Sequence, residues 1–100
     1  MSAITTHVLN TALGMPAAGV PVSLEVWRDE WALMVRTETN ADGRARLAED
    51  AAEGRYRVTF ALGDEAFYPE IAIQFMLRDG RHHHIPLLLS PFGYSTYRGS

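Results

Sequence analysis

Histidine is the residue type in this 100-residue sequence with the clearest capacity for proton transfer. His82, His83 and His84 are consecutive, and His7 lies near the other end of the chain. Imidazole has an unperturbed pKa of about 6.5, so it can bind or release a proton near neutral pH. Alternate side chains of a strand point to opposite faces, which places His82 and His84 on one face and His83 on the other. His84 directly precedes the apolar run Ile85–Leu89, a boundary where an imidazole needs a polar partner, and this favours a functional role.

Each of these histidines also has a simpler interpretation. His7 could be a polar residue on a solvated strand face, and His82 and His83 could lie on an exposed hairpin arm. His7, His82 and His84 could instead supply three nitrogen ligands to a zinc ion with one open position. An i, i+2 pair of histidines on a strand is a legitimate metal spacing that is also common by chance. The residues alone therefore favour a site without a metal, but only slightly.

Two arginines each follow an Asp-Gly pair directly. Arg44 follows Asp42-Gly43, and Arg81 follows Asp79-Gly80. Asp-Gly tolerates the positive φ of tight hairpin turns, so both guanidinium groups are expected at turns. Solvated surface is the ordinary position for such an arginine, and nothing local distinguishes the two.

The C-terminal segment is unlike the polar, frayed end of most domains. Tyr94 and Tyr97 bracket a Ser-Thr pair, an alternation that suits a last strand. The chain then ends on the residues Tyr97, Arg98, Gly99 and Ser100. This terminus could be held in a site, or it could be a loose tail after the strand.

Short strands must position these residues, because the dominant periodicity is two. Large apolar residues recur at every second position over 20–26, 56–62 and 71–77. The segment Trp31–Thr39 is β-prone but less regular, and Trp31, Leu33 and Val35 are expected on one of its faces. Short strands at this spacing, without an amphipathic helix between them, predict an antiparallel β-sandwich in a single domain, residues 1–100.

Two connections have an ambiguous composition. Ala48–Gly54 has helical composition but only about two turns of length, so we interpret it as a turn. The interval between Gly63 and Pro69 has room for one helical turn at most.

Composition and charge exclude several classes of function. The formal net charge is −3 and the nine basic residues are scattered, so the chain lacks the basic cluster that attracts nucleic acid. No segment approaches the roughly 20 apolar residues of a membrane span. The chain has no cysteine, which excludes disulfides and thiolate metal sites. No secretory signal or peroxisomal Ser-Lys-Leu address is recognisable, so a cytoplasmic protein is expected.

The segments that carry these residues resemble the 5-hydroxyisourate hydrolases of the transthyretin-like family. The family's opening motif is similar to ITTHVLNTALGMPAAGVPV, its central motif to TNADGR, the strand after its short helix to FYPEIAI, and its C-terminal signature to HHHIPLLLSPFGYSTYRGS. The resemblance keeps the family's order and spacing throughout the chain. The final Tyr-Arg-Gly-Ser is a specific signal, since the related hormone-binding transthyretins lack it. The family usually has an aromatic residue at the position of His83, which should face away from the site.

The resemblance implies a fold, an assembly and an activity. The fold would be a transthyretin-like sandwich of two four-stranded sheets with one short helix. The assembly would be a homotetramer, a dimer of dimers with active sites in the channel between dimers. The activity would be the hydrolytic ring opening of 5-hydroxyisourate in urate breakdown, without a cofactor, so the metal hypothesis loses most of its weight.

The resemblance also implies a role for each matched residue. His7 and His84 would activate water and pass a proton to the departing ring nitrogen, and Arg44 would stabilise the developing oxyanion. The remaining contacts to substrate would come from Tyr97, Arg98, Gly99 and Ser100. One alternative is a non-catalytic, transthyretin-type tetramer that binds a small molecule in its channel, and another is an adhesion or interaction sandwich with no small-molecule site. A mere carrier has no need of His7, Arg44 and His84 together with this terminus.

Overall fold

The two-residue periodicities of the sequence correspond to strands in the computed structural model, which describes residues 2–99. Within these residues the strands are β1 (Ser2–Asn10), β2 (Met15–Pro16), β3 (Pro21–Trp27), β4 (Trp31–Glu38), β5 (Arg44–Ala51), β6 (Gly54–Ala61), β7 (Glu70–Leu77), β8 (His83–Ser90) and β9 (Gly93–Thr96). They form two sheets that enclose one apolar core, which confirms the all-β sandwich. The described residues include no helix that could cross a membrane.

Each sheet is four strands wide. One has the order β5-β1-β8-β9, and the two-residue β2 continues the β5 edge by pairing with the end of β1. The other has the order β4-β3-β6-β7. Neighbouring strands are antiparallel except β1 and β8, which are parallel. This one parallel pair brings segments from the two ends of the chain side by side in the same sheet.

The core lies between the sheets because alternate side chains of each strand point inward. In β1 the side chains of Ile4, Thr6 and Val8 are buried, while Thr5 and His7 point to the outer face. Both sheets contribute large, fully buried apolar side chains, among them Leu24, Val58, Phe60, Ile71 and Leu87. The outer face of β1 is therefore free to carry polar groups.

The predicted turn at Ala48–Gly54 was wrong over most of its length. β5 continues to Ala51 and pairs with β1, with Ala48 opposite Ile4 and Ala51 opposite Ser2. Two register shifts accompany this pairing, and Ala51 is buried in the core. Pairing with β1 thus overrides a local composition that is poor in strand-forming residues.

The prediction of one short helix was also wrong, because the described residues contain no helix. The connection between β6 and β7 consists of turns and bends closed by a bond from the Leu62 amide to the Pro69 carbonyl, at 2.7 Å. Within that connection, the only hydrogen bond with helical spacing is an i, i+3 bond. It runs from the Ala66 amide to the Gly63 carbonyl. One turn does not repay the entropic cost of helix nucleation.

The prediction that Trp31, Leu33 and Val35 share one face of β4 was wrong as well. Val35 is opposite Leu24, but Leu33 is opposite Glu25, so Met34 is an extra residue in β4. Such a bulge reverses the alternation. Val35 accordingly packs against the core, whereas Leu33 lies on the outer face.

Neither Asp-Gly turn closes a hairpin, because each connects strands of different sheets, β4 to β5 and β7 to β8. Gly43 has the expected positive φ, 75°, whereas Gly80 is not among the residues with positive φ. A Cβ at Gly43 would lie 2.6 Å from the Val8 carbonyl oxygen. Glycine is therefore required at the position that leads the chain into Arg44.

Candidate active site

Three adjacent strands, β5, β1 and β8, bring together the residues that the sequence singles out. His7 on β1 is directly opposite Arg44 on β5. Thr5 on β1 is opposite Arg46 on one side and His84 on the other. Residues opposite one another in a sheet point to the same face, so these side chains share the outer face of the sheet. The two ends and the middle of the chain thus meet on one surface.

The start of β5 is anchored next to His7. The Val8 amide donates to the Gly43 carbonyl at 2.7 Å, and the Asn40 amide donates to the Arg44 carbonyl at 2.9 Å. The Asn40 side-chain oxygen accepts from the Arg44 amide at 3.0 Å. These bonds hold the backbone of Arg44, while no ion pair to its guanidinium is found among residues 2–99.

His84 is partly buried and has a hydroxyl partner. Its Nδ1 lies 2.8 Å from Thr5 Oγ1. Burial lowers the pKa of His84 below its usual value, and the nearby His82, Arg44 and His7 lower the pKa further. The cause is that an imidazolium here would lose hydration and face other positive groups. His84 is therefore held in its neutral, basic form at neutral pH.

The C-terminal segment covers one side of the His84 ring. The Gly99 amide donates to the His84 carbonyl at 2.8 Å, in an isolated antiparallel bridge. A Cβ at Gly99 would lie 2.6 Å from His84 Cδ2, so only glycine allows this approach. The terminus is thus packed against His84.

A cleft opens beside these residues on the outer face. It measures about 320 Å³ and is lined by Thr5, Thr6, Arg44, Ala45, Arg46, His82 and His84. None of these lining residues is acidic, and Arg46 is paired with Glu49 at 2.6 Å. The cleft therefore combines a neutral imidazole with an arginine side chain, a combination suited to an anionic or carbonyl-bearing ligand.

Tyr97 and Arg98 line a different cavity. It measures about 240 Å³, and its other walls include Ile73, Phe75 and His84. Arg98 donates to Asp79 at 3.3 Å. His84 lies on the boundary between the two cavities, so it links the terminus to the cleft. Ser100, the last predicted substrate contact, lies outside the described residues.

Asp79 holds Arg98 in that position. The Arg81 amide donates to Asp79 Oδ1 at 2.9 Å, and this bond, followed by the Arg98 guanidinium, lowers the pKa of the Asp79 carboxyl. Arg81 itself is largely exposed, as predicted for an ordinary surface arginine.

The three consecutive histidines have different environments. His82 is exposed, whereas His83 faces the core and is 3% exposed, so the hairpin-arm interpretation was wrong for His83. The His83 ring stacks on Phe75 with centroids 6.4 Å apart. Its Nδ1 lies 2.8 Å from the Arg81 carbonyl, to which it donates, and its Nε2 has no hydrogen-bond partner among the described residues. His83 is therefore a core residue turned away from the cleft.

The arrangement of the histidines does not suggest a metal centre in the part of the chain described. No group of three or more His, Cys, Asp or Glu residues there is positioned to hold a metal ion. Instead, the Thr5 hydroxyl lies between ring nitrogens of His82 and His84.

Sequence reasoning missed Thr5 and Arg46. Each lies two residues from a predicted site residue, Thr5 before His7 and Arg46 after Arg44. The two-residue period of a strand places both on the face of the site. This alternation is the signal in the sequence that points to both residues.

Known proteins with this fold include 5-hydroxyisourate hydrolases and transthyretins. A profile of the HIUase/Transthyretin family matches residues 4–99. A 5-hydroxyisourate hydrolase of Caulobacter vibrioides is 44% identical over 117 residues, covering all of both chains. The solved structure of Klebsiella pneumoniae 5-hydroxyisourate hydrolase has a TM-score of 0.87 and 37% identity, again covering all of both chains. Sea bream transthyretin in complex with thyroxine has a TM-score of 0.88 and 26% identity, covering 96% of this chain and 93% of that one. The chain belongs to the HIUase/Transthyretin family.

Proposed function

We propose that this chain is an enzyme that hydrolyses 5-hydroxyisourate, with His7, Arg44 and His84 as its catalytic residues. The observation that carries the proposal is the register of three adjacent strands, which gathers these three side chains on one outer face. Relatives named 5-hydroxyisourate hydrolase, one of them 44% identical over the full chain, support the substrate. The solved hydrolase structure at 37% identity supports it further.

The imidazoles would activate the water. Water is a poor nucleophile at neutral pH, so a positioned base must take its proton as the oxygen attacks a ring carbonyl carbon. His84 suits this role because its surroundings lower its pKa and keep it neutral. His7 lies two residues further along β1 than the Thr5 partner of His84, on the same face. The proton taken from water then passes from the imidazole pair to the ring nitrogen as the carbon–nitrogen bond breaks.

Arg44 would stabilise the charge that develops on oxygen. Attack on a carbonyl places negative charge on its oxygen, and a preorganised guanidinium at that position lowers the barrier. The Arg44 backbone is fixed by Asn40, and Arg44 lines the cleft together with His84. No cofactor is needed for this chemistry, and none is proposed.

The C-terminal residues Tyr97, Arg98, Gly99 and Ser100 would complete the substrate site. Gly99 contacts the His84 ring, which supports this role for the terminus. Tyr97 and Arg98 lie across His84 from the cleft, so they would reach a substrate that extends past this ring.

The assembly would be a homotetramer. Family membership supports an oligomer, and large apolar side chains such as Leu13, Phe67 and Phe92 are exposed on the isolated chain. Light scattering coupled to gel filtration would test the assembly, with a mass about four times the 11.1 kDa of one chain expected. The cytoplasmic location stays a prediction, which fractionation of the native cells would test.

The activity can be measured directly. Urate oxidase generates 5-hydroxyisourate from urate, and the ultraviolet decay of this unstable product is followed with and without the chain. The proposal expects a decay that accelerates in proportion to enzyme concentration. Unaccelerated decay would refute the hydrolase and would favour the small-molecule carrier, for which the thyroxine complex of sea bream transthyretin is the precedent.

A further inference from the structure

The hydroxyl of Thr5 lies between His82 and His84. The proposed catalysis gives a role to His84 but none to His82. Thr5 Oγ1 is 2.6 Å from His82 Nε2 and 2.8 Å from His84 Nδ1. The two rings are in edge-to-face contact, with centroids 6.2 Å apart. His84 is partly buried at the cleft, whereas His82 is exposed to solvent. The three groups therefore form a continuous path from the site to bulk water.

A hydroxyl has one proton, and this determines the direction of the hydrogen bonds along the path. It can donate to only one of the two ring nitrogens and must accept from the other. When Thr5 donates to His82, it accepts from Nδ1–H of His84, and His84 Nε2 carries the free lone pair of a base. When the direction reverses, Thr5 donates to His84 Nδ1, and His84 Nε2 carries the proton of an acid.

We propose that Thr5 and His82 form a proton relay that converts His84 between its basic and acidic forms and connects it to solvent. The inference deepens the proposed hydrolase function and rests on it. Thr5 and His82 act through His84, so they are positioning residues that need not touch the substrate.

The relay balances its protons in two steps. His84 Nε2 takes a proton from the attacking water, while Nδ1–H passes to Thr5 and the Thr5 proton passes to His82 Nε2. His82 then releases its Nδ1 proton to solvent, leaving His84 neutral with a proton on Nε2. That proton goes to the departing ring nitrogen as the carbon–nitrogen bond breaks. As it leaves, the Thr5 proton passes to His84 Nδ1, the His82 Nε2 proton passes to Thr5, and His82 Nδ1 takes up a proton from solvent, so His84 Nε2 is again free.

The charges around His84 explain why such a path is useful. Arg44 and Arg46 on β5 and His82 before β8 line the same cleft as His84. His7 on β1 does not line the cleft but is near enough to lower the pKa of His84, while Arg98 of the C-terminal segment is turned to Asp79. An imidazolium at His84 would thus lie among cationic or potentially cationic groups in a partly dehydrated position. The relay moves that positive charge to the exposed ring of His82.

Kinetics of matched variants test the relay. Thr5→Val removes the hydroxyl at nearly constant volume, Thr5→Ser keeps it, and His82→Gln keeps a hydrogen-bonding group that does not titrate. Thr11→Val is the control, since Thr11 donates to the Leu89 carbonyl away from the site. In weak buffer we expect kcat to fall on the order of tenfold in Thr5→Val and His82→Gln, less than the 10²–10⁴-fold typical for loss of a positioned acid or base. Added imidazole should restore kcat in both, because it carries protons that the relay no longer carries. Thr5→Ser and Thr11→Val should behave like the parent.

Nitrogen-15 NMR of the histidines supplies a readout that does not depend on turnover. The relay requires the His82 and His84 titrations to be coupled in the parent and in Thr5→Ser, and uncoupled in Thr5→Val. Independent titration in the parent, or a kcat in Thr5→Val and His82→Gln that equals the parent's in weak buffer, would overturn the relay. If the parent does not hydrolyse 5-hydroxyisourate but the coupling is present, the proposed substrate fails while the path stands.

Discussion

His7 and Arg44 are direct partners in the antiparallel register of β1 and β5. Both lie on the outer face of the sheet, next to the pair formed by Thr5 and His84. In the proposed hydrolysis, this imidazole would accept a proton and the neighbouring guanidinium would stabilise the charge on one reacting carbonyl. The backbone ladder of a sheet, rather than a flexible loop, sets the spacing of these groups.

Arg44 and Arg81 form a matched pair for testing this relationship. Each follows an Asp-Gly pair, but only Arg44 lies in the cleft. We expect Arg44→Met to lower kcat about 10²–10³-fold, the cost of losing an oxyanion donor, and Arg81→Met to leave kcat unchanged. Steady-state kinetics on freshly generated 5-hydroxyisourate measure both. Equal behaviour of the two variants would remove Arg44 from the site.

His83 should matter for stability and not for catalysis. Because its ring is buried against Phe75, His83→Ala should lower the free energy of unfolding by about 2–5 kcal/mol, as for other large-to-small core changes. His83→Phe fills the same space and removes the unpartnered Nε2 but also loses the Nδ1 bond to the Arg81 carbonyl, so it should be much less destabilised than His83→Ala in urea unfolding. Both variants, measured while folded, should keep the parent's kcat. A selective loss of kcat in His83→Phe would mean that this ring also serves the site.

Gly99 should matter for catalysis and little for stability. A Cβ there would displace the His84 ring or the terminus, because it would lie 2.6 Å from His84 Cδ2. Since a displacement of about 1 Å can cost on the order of 10²-fold in rate, Gly99→Ala should lower kcat on that scale while the melting temperature stays near the parent's. Gly80→Ala is the control, because a Cβ at Gly80 would meet nothing within 4 Å. A fully active Gly99→Ala would contradict the close approach.

The two-residue period was enough to predict the sandwich and the division of the histidines between two faces. It failed where tertiary pairing overrides local sequence. β5 forms along β1 although Ala48–Ala51 has little strand preference, and the extra residue Met34 leaves no local trace in β4. The convergence of His7, Arg44 and His84 depends on pairings between distant segments, which no local pattern encodes. Only the family resemblance separated Arg44 from Arg81.

The pH dependence follows from the lowered pKa of His84. A base is active when neutral, so the acid limb of kcat/KM should lie below pH 6.5, the usual value for histidine. Burial is the main cause, with His82, Arg44 and His7 adding to it. In Arg44→Met the residual activity should show an acid limb closer to 6.5. A parent limb above 6.5 would contradict the neutral His84.

The same shift gives the sign of the effect on stability. The unfolded chain binds a proton at His84 more readily than the folded chain does, so stability rises with pH through this window. The contribution of His84 is fully present above the ordinary histidine pKa and is lost as pH falls toward the lower folded pKa. Urea unfolding of the parent and His84→Asn as a function of pH should show a smaller slope in the variant.

The rate of 5-hydroxyisourate decay with the parent chain and with His84→Asn shows whether His84 is the base that activates water. Asparagine keeps a polar group of similar size but cannot act as a base at neutral pH. We expect rapid decay with the parent, a rate lower by about 10²–10⁴-fold with the variant, and equal circular dichroism spectra for the two. Decay at the parent rate with a folded His84→Asn would show that His84 is not the base.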